Sequence, residues 1–314
     1  GDRYSLQPFE KLIRAKMNKY VLTFIGHGDN VPALDTYLLK FIARNPDIKL
    51  TSCKQLGDHA VEQYFTSDEE EMNEDNVIEY EDVDVILQRD DGYRRKRLVV
   101  FDMDSTLIYQ EVIELIAGYA GVEREVKKIT ERAMNGELDF KQSLSQRIEL
   151  LKGLPIEQLY KEIKPKLILT QGVKELCEVL RHDNVRLAVL SGGFTPFAEY
   201  IKDQLQMDYF KANTLETDSE GKLSGKTIGE IVDGEVKATT LVQLANKYEI
   251  PIDGTMMVGD GANDLPAMSV AGFGIAWNAK PKVQKLAPGK LNSKSLLDLL
   301  YIMGYSQQEI NSKL

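Results

Sequence analysis

Two patterns of apolar and polar positions follow one another along this chain. In the first, short β-branched and aromatic runs alternate with turns. Tyr20 to Ile25 reads as a strand, Gly26-His27-Gly28-Asp29-Asn30 as a turn with His27 structural, and Val31 to Arg44 as a helix. A second strand is expected at Ile48 to Cys53 and a third at His59 to Thr66. An acidic stretch of weak helical character, Ser67 to Glu81, precedes a strand at Val83 to Gln88. Within it Asp68-Glu69-Glu70-Glu71 reads as a solvated helix start favoured by the helix dipole. The resulting βαββαβ order predicts a small ferredoxin-like α+β sandwich.

After the linker-like Asp90-Asp91-Gly92 the period changes. Leu98 to Phe101, Val185 to Leu190, Thr255 to Val258 and Gly274 to Trp277 are apolar runs without alternation, separated by longer helical segments. That is the signature of a parallel α/β sheet of Rossmann-like type, buried on both faces. Between the first two runs lies a mostly helical insertion, about 111–167, placed to act as a cap, followed by a helix at Val173 to Arg181. Asp218 to Gly225 has the turn chemistry of a hairpin flap. The division expected is an extension at 1–18, a small domain at 19–92 and a larger one at 93–314.

Composition narrows the class. The 314 residues leave room for two cores, and 43% apolar with 28% charged content is that of an ordinary globular protein. A net charge of −10 argues against a general nucleic-acid binder and, more mildly, against an anionic membrane. The basic run Arg94-Arg95-Lys96-Arg97 reads as a solvated linker. Two cysteines, Cys53 and Cys177, far apart in sequence, suit a reducing compartment. No apolar stretch suggests a transmembrane helix or a signal-peptide core, so a cytoplasmic location is expected.

The candidate chemistry sits at strand ends. Leu98-Val99-Val100-Phe101 delivers Asp102 and Asp104, one residue apart, onto a Ser105-Thr106 turn, where open parallel sheets place ligands. Two carboxylates that close call for a hard divalent cation such as Mg²⁺. Taken alone, the same spacing suits a helix N-cap equally well. Ser191-Gly192-Gly193 ends a second strand in a turn able to aim backbone N–H groups and a hydroxyl at a phosphate. Lys237 begins an amphipathic helix. Gly259-Asp260-Gly261-Ala262-Asn263-Asp264 ends a third strand, and Asp260 there could complete an oxygen-ligand metal site with Asp102.

Together these four clusters, in this chain order, resemble the haloacid dehalogenase superfamily. Glu111, Met134, Phe140 and Arg147, with Ser191-Gly192-Gly193-Phe194, bring the resemblance closer to its phosphoserine-hydrolysing branch, over roughly residues 98–287. The resemblance implies Asp102 as nucleophile forming an aspartyl-phosphate, Asp104 as general acid and base, and Lys237 neutralising the transferring phosphoryl group. It implies Mg²⁺ on Asp102, Asp260 and the Asp104 carbonyl, with Asp264 behind them. Ser191, Asn263 and the amides of Ser105, Gly192 and Gly193 would surround the phosphate. Glu111 and Arg147 would take the ammonium and carboxylate of an amino-acid substrate, phosphoserine, at the last step of serine biosynthesis, with Met134 and Phe140 as apolar wall. The N-terminal region resembles ACT-like modules, and a homodimer is plausible by analogy. Another small phosphomonoester, or a catalytically silent amino-acid sensor on the same fold, is the alternative; the intact Asp102, Asp104, Lys237 and Asp260 set speaks against the silent one.

Overall fold

The computed structural model describes residues 17–314; the greater part of the 1–18 extension therefore lies outside the described residues. The first strand, β1 (Asn18–Gly26), already begins at Asn18. It is followed by α1 (Asp35–Arg44), β2 (Ile48–Gly57), β3 (Ala60–Ser67) and β4 (Val83–Arg89). The four strands form an antiparallel sheet in the order β2-β3-β1-β4. Central β1 is buried from Tyr20 onward because both faces of the sheet are covered. Tyr20, Leu22 and Phe24 pack with Tyr37 and Phe41 of α1. On the other face Ile25, Leu56, Ala60 and Ile86 join the core of the larger sheet, with Leu300 and Tyr301.

Two expectations for this region need correction. The acidic stretch between β3 and β4 is not a helix: only Glu74–Asn76 forms a single 3₁₀ turn, capped by Asn73, and Asp68 to Glu71 are exposed and irregular. Its run of like charges offers no apolar stripe to pack, and packing supplies most helical stability. The basic run is not a solvated linker either. Arg94 and Lys96 are buried. The Arg94 guanidinium lies 2.8 Å from Glu62 and donates to the Ile302 carbonyl and the Thr23 hydroxyl. Lys96 donates to the Asp253 carbonyl, and burial pushes its pKa down to about 8.

The larger sheet contains β5 (Leu98–Phe101), β6 (Arg186–Phe194), β7 (Tyr209–Thr217), β8 (Leu223–Ile228), β9 (Thr255–Gly259), β10 (Phe273–Trp277) and β11 (Gly289–Leu291). Their order is β11-β10-β9-β5-β6-β7-β8, parallel except for the β7–β8 hairpin. From β5 the chain steps outward through β6 and β7, then returns to the opposite side of β5 for β9. The order thus reverses around β5, and the crevice beyond its carboxyl end is where such a sheet binds ligands.

Between β5 and β6 come α2 (Val112–Ala120), α3 (Glu123–Met134), α4 (Phe140–Glu149) and α5 (Ile156–Ile163), which form the cap, and then α6 (Val173–His182). A Gly121 with φ of 70° ends α2, and a reciprocal Asp139–Gln142 capping box starts α4. The cap is tied off at its neck, where Ile108 pairs with Leu169 and the Thr170 hydroxyl donates to the Thr106 carbonyl. The β7–β8 hairpin also holds it. The Gly153 amide donates to the Leu223 carbonyl at 2.7 Å, and the Leu223 amide to the Leu154 carbonyl at 2.9 Å. After β6 come α7 (Thr195–Gln204), α8 (Gly234–Lys247), α9 (Leu265–Val270), α10 (Pro281–Leu286), α11 (Leu299–Ile302) and α12 (Gln307–Ser312). No helix among the described residues is long and apolar enough to cross a membrane.

Candidate active site

Asp102 is the first residue past β5, and its Oδ1 caps the following turn by accepting the Met103 amide at 2.8 Å. That turn, Met103–Leu107, is irregular. Ser105 sits in the left-handed region at φ 58°, ψ 12°, a conformation costing a non-glycine residue roughly 1–2 kcal/mol. The Ser105 hydroxyl donates to Glu111 at 2.7 Å and its amide to the Gln110 carbonyl at 3.3 Å. The Ser105 amide assigned to phosphate by resemblance is thus engaged within the chain.

The end of β9 brings a second set of carboxylates alongside. Oxygen atoms of Asp102, Asp260 and Asp264 lie within 4.8 Å of one another. Their roles separate by what each already holds. Both oxygens of Asp264 are engaged, Oδ1 with the Lys237 ammonium at 2.8 Å and Oδ2 with the Gly261 amide at 3.1 Å. Asp260 Oδ1 accepts the Thr106 hydroxyl, at 3.1 Å. Burial, and then the charge of Asp102, hold the Asp260 carboxyl well above the usual carboxylate range. A hard divalent cation between Asp102 and Asp260 would remove that repulsion, so this donor set fits one.

Lys237 is fully buried, its Nζ 3.2 Å from Asp102 and 2.8 Å from Asp264. Burial alone would favour the neutral amine, yet the two carboxylates hold its pKa above the ordinary value. Burial and the Asp102 charge lift Asp264 to about 7, against the pull of Lys237. With an ammonium at 2.8 Å, the ion pair is the form that satisfies both groups. Asp104 has its Oδ1 buried and, among the described residues, without a hydrogen-bond partner. Burial, Glu111 and Asp102 raise its pKa well above the ordinary value, the direction a general acid requires.

Asp102, Asp104 and Asp260 open onto a cavity of about 740 Å³ between sheet and cap. Ten of the residues expected at the site line it: Asp102, Asp104, Glu111, Met134, Phe140, Arg147, Gly192, Gly193, Asp260 and Asn263. Ser105, Ser191, Lys237 and Asp264 lie behind that wall. Glu111 and Arg147 both face the cavity, and among the described residues no ion pair joins them. Burial raises the Glu111 pKa; burial lowers that of Arg147, which Glu111 and Asp104 pull back up. Met134 is 46% exposed and receives the Lys280 ammonium on its sulfur, so it lines the cavity at its outer edge. Phe140 packs against Gly192, where an added Cβ would lie 2.8 Å from the ring.

Residues 96–272 match the haloacid dehalogenase-like hydrolase family. The chain belongs to that family. A phosphoserine phosphatase of Saccharomyces cerevisiae is 54% identical over 308 residues, 95% of this chain and 100% of its own length. A solved probable phosphoserine phosphatase from Vibrio cholerae is 34% identical, with a TM-score of 0.68 over 95% of this chain and 90% of its own. A phosphoserine phosphatase solved as an analogue of the phospho-aspartyl intermediate is 40% identical, with a TM-score of 0.62 over 66% of this chain and 98% of its own. Hydrolases of this family generally use a divalent metal, in keeping with the acidic cluster at Asp102.

Two residues of this haloacid dehalogenase-like site escape sequence reasoning. Thr106, the donor to Asp260, belongs to the Asp-x-Asp-Ser-Thr run but reads there as a turn residue. Asn213 is buried beneath the Ser191-Gly192-Gly193 turn on β7, a strand whose alternation is too weak to be read, and its flanking Lys211-Ala212 and Thr214 give no signal that it is buried.

Proposed function

We propose that this chain hydrolyses O-phospho-L-serine to L-serine and phosphate, the last step of serine biosynthesis, through an aspartyl-phosphate on Asp102. One observation carries the choice of substrate. A carboxylate, Glu111, and a guanidinium, Arg147, face the same cavity as Asp102 without pairing with each other, the complement of an ammonium and a carboxylate on one small molecule. The relatives named for this substrate support the same reading.

In the first step a carboxylate oxygen of Asp102 bonds to phosphorus as the phosphorus–oxygen bond to serine breaks, and Asp104 gives its proton to the departing alkoxide. In the second step Asp104 takes a proton from water, whose oxygen bonds to phosphorus while the bond to Asp102 breaks. Lys237 offsets charge on Asp102 throughout, and Ser191 and the Gly192 amide hold phosphoryl oxygens. Asp102, Asp260 and the Asp104 carbonyl would hold Mg²⁺, which supplies charge neutralisation at the phosphoryl group. The cap excludes water. A cytoplasmic homodimer completes the reading, with gel filtration as the check on assembly.

The test is phosphate release from a panel of small phosphomonoesters with and without Mg²⁺. Phosphoserine should be preferred, Asp102→Asn should abolish turnover, and acid-stable, hydroxylamine-sensitive label should appear only with Asp102 intact. Arg147→Ala should lose at least 100-fold in kcat/KM on carboxylate-bearing phosphates and little on phosphoethanolamine. Equal losses on both would remove the carboxylate role from Arg147.

A further inference from the structure

The register between β6 and β7 breaks at the site. Leu190 pairs with Lys211 and Phe194 with Asn213, so Ser191, Gly192 and Gly193 stand opposite the single residue Ala212 and bulge from the ladder. The Asn213 side chain supplies a replacement bond. Its Nδ2 donates to the Gly192 carbonyl at 3.0 Å, while its Oδ1 accepts the Val232 amide at 2.8 Å. Its backbone carbonyl accepts the Thr195 hydroxyl at 3.1 Å. The residue is 1% exposed, and both ends of its amide are committed.

Each bond leads toward a residue assigned above to phosphoryl transfer. The Gly192 carbonyl and the Gly193 N–H belong to one peptide plane, and that N–H donates to the Ser191 hydroxyl oxygen at 2.9 Å. Holding the carbonyl therefore fixes the plane, and the plane leaves the Ser191 hydroxyl proton to be donated outward. Val232 immediately precedes Asp233, whose Oδ1 caps α8 by accepting the Val236 amide; Lys237 follows in the first turn of that helix. One buried amide thus bonds to two elements, one carrying Ser191 and the other leading to Lys237.

Resting on the phosphatase reading above, we propose that Asn213 is a positioning residue for phosphoryl transfer, orienting the Ser191 hydroxyl through the Gly192–Gly193 peptide and anchoring the helix that carries Lys237. It touches no reacting atom. Its removal should therefore lower kcat and weaken inhibition by inorganic phosphate, while leaving inhibition by L-serine, held by the cap, within about twofold.

The experiment is a double-mutant cycle on full-length protein with Asn213→Asp, which keeps the acceptor for Val232 but turns an oxygen toward the Gly192 carbonyl, and Ser191→Ala. Asn213→Asp should cost on the order of 10- to 100-fold in kcat. In the Ser191→Ala background the same change should cost less than threefold, because the hydroxyl it orients is gone. A purely structural role predicts equal losses in both backgrounds and an altered L-serine inhibition; either result, or a kcat within twofold of wild type, overturns the proposal. If Asn213→Asp does not fold, Asn213→Ser is measured in both backgrounds; because it also frees the Val232 amide it should lower kcat in both, by at least about threefold more where the Ser191 hydroxyl is present, and equal losses overturn the proposal. Should the wild type fail to release phosphate from phosphoserine, the substrate reading falls, and the cycle is run on whichever phosphomonoester it does cleave.

Discussion

Lys237 is the residue on which the buried electrostatics of the site depend. Its ammonium is the counter-charge to the fully buried Asp264, and it lies against Asp102 as well. Lys237→Met keeps the aliphatic stem and removes the charge, which should lower stability by about 3–5 kcal/mol, the cost of orphaning a buried partner. Urea denaturation measures this, and a loss below about 1 kcal/mol would show that Asp264 is held neutral. At this scale most of the site was legible in the sequence. Asp102, Asp104, Ser191 and Asp260 each follow an apolar run, so strand ends and polar onset could be read together. Arg94 and Asn213 were not legible, because their roles come from partners, Glu62 and Gly192, that only the folded chain brings near.

At the scale of elements, the contact between cap and sheet rests on a missing side chain. Phe140, at the start of α4, occupies the space above Gly192 that a Cβ would need. Gly192→Ala should push the ring, and with it the cap, away from the sheet. The expected result is a KM for phosphoserine raised about tenfold or more, with thermal stability changed by only a few degrees; an unchanged KM would mean the ring swings aside without moving the helix. Strands β5, β6, β9 and β10 could be anticipated because burial on both faces demands unbroken apolar runs. β7 and β11 could not: one is half exposed and the other is three residues long. The acidic stretch before β4 failed for the opposite reason, since its charge pattern suggested a helix start, while the apolar residues that follow, Met72, Val77, Ile78 and Tyr80, are not at helical spacing and pack onto the small sheet's core as irregular chain.

Across the whole molecule, the small sheet meets the larger one through polar pairs set in an apolar seam. His59 contacts Asp298 at 2.8 Å and lies edge-on to the Tyr301 ring. The Asp298 hydrogen bond, more than offsetting burial, raises the His59 pKa above its ordinary 6.5. A histidine whose pKa is raised by folding stabilises the fold fully below the ordinary value, and that contribution is lost as pH rises through the raised one. His59→Asn should therefore lower Tm more at pH 6 than at pH 9. Calorimetry at the two values decides it, and a difference that grows with pH would reverse the assignment.

The seam also bears on how the protein is made. The sheet face carrying Ile25 and Ile86 is covered by the segment around Tyr301, and the bond from Gln88 to the Ile302 carbonyl joins residues 214 positions apart. During synthesis the small sheet can pair its strands and pack α1 early, but its second face stays bare until nearly all of the catalytic sheet has been translated. For that interval the nascent chain presents an apolar surface to the cell, and chaperone demand should be set by translation time across those residues.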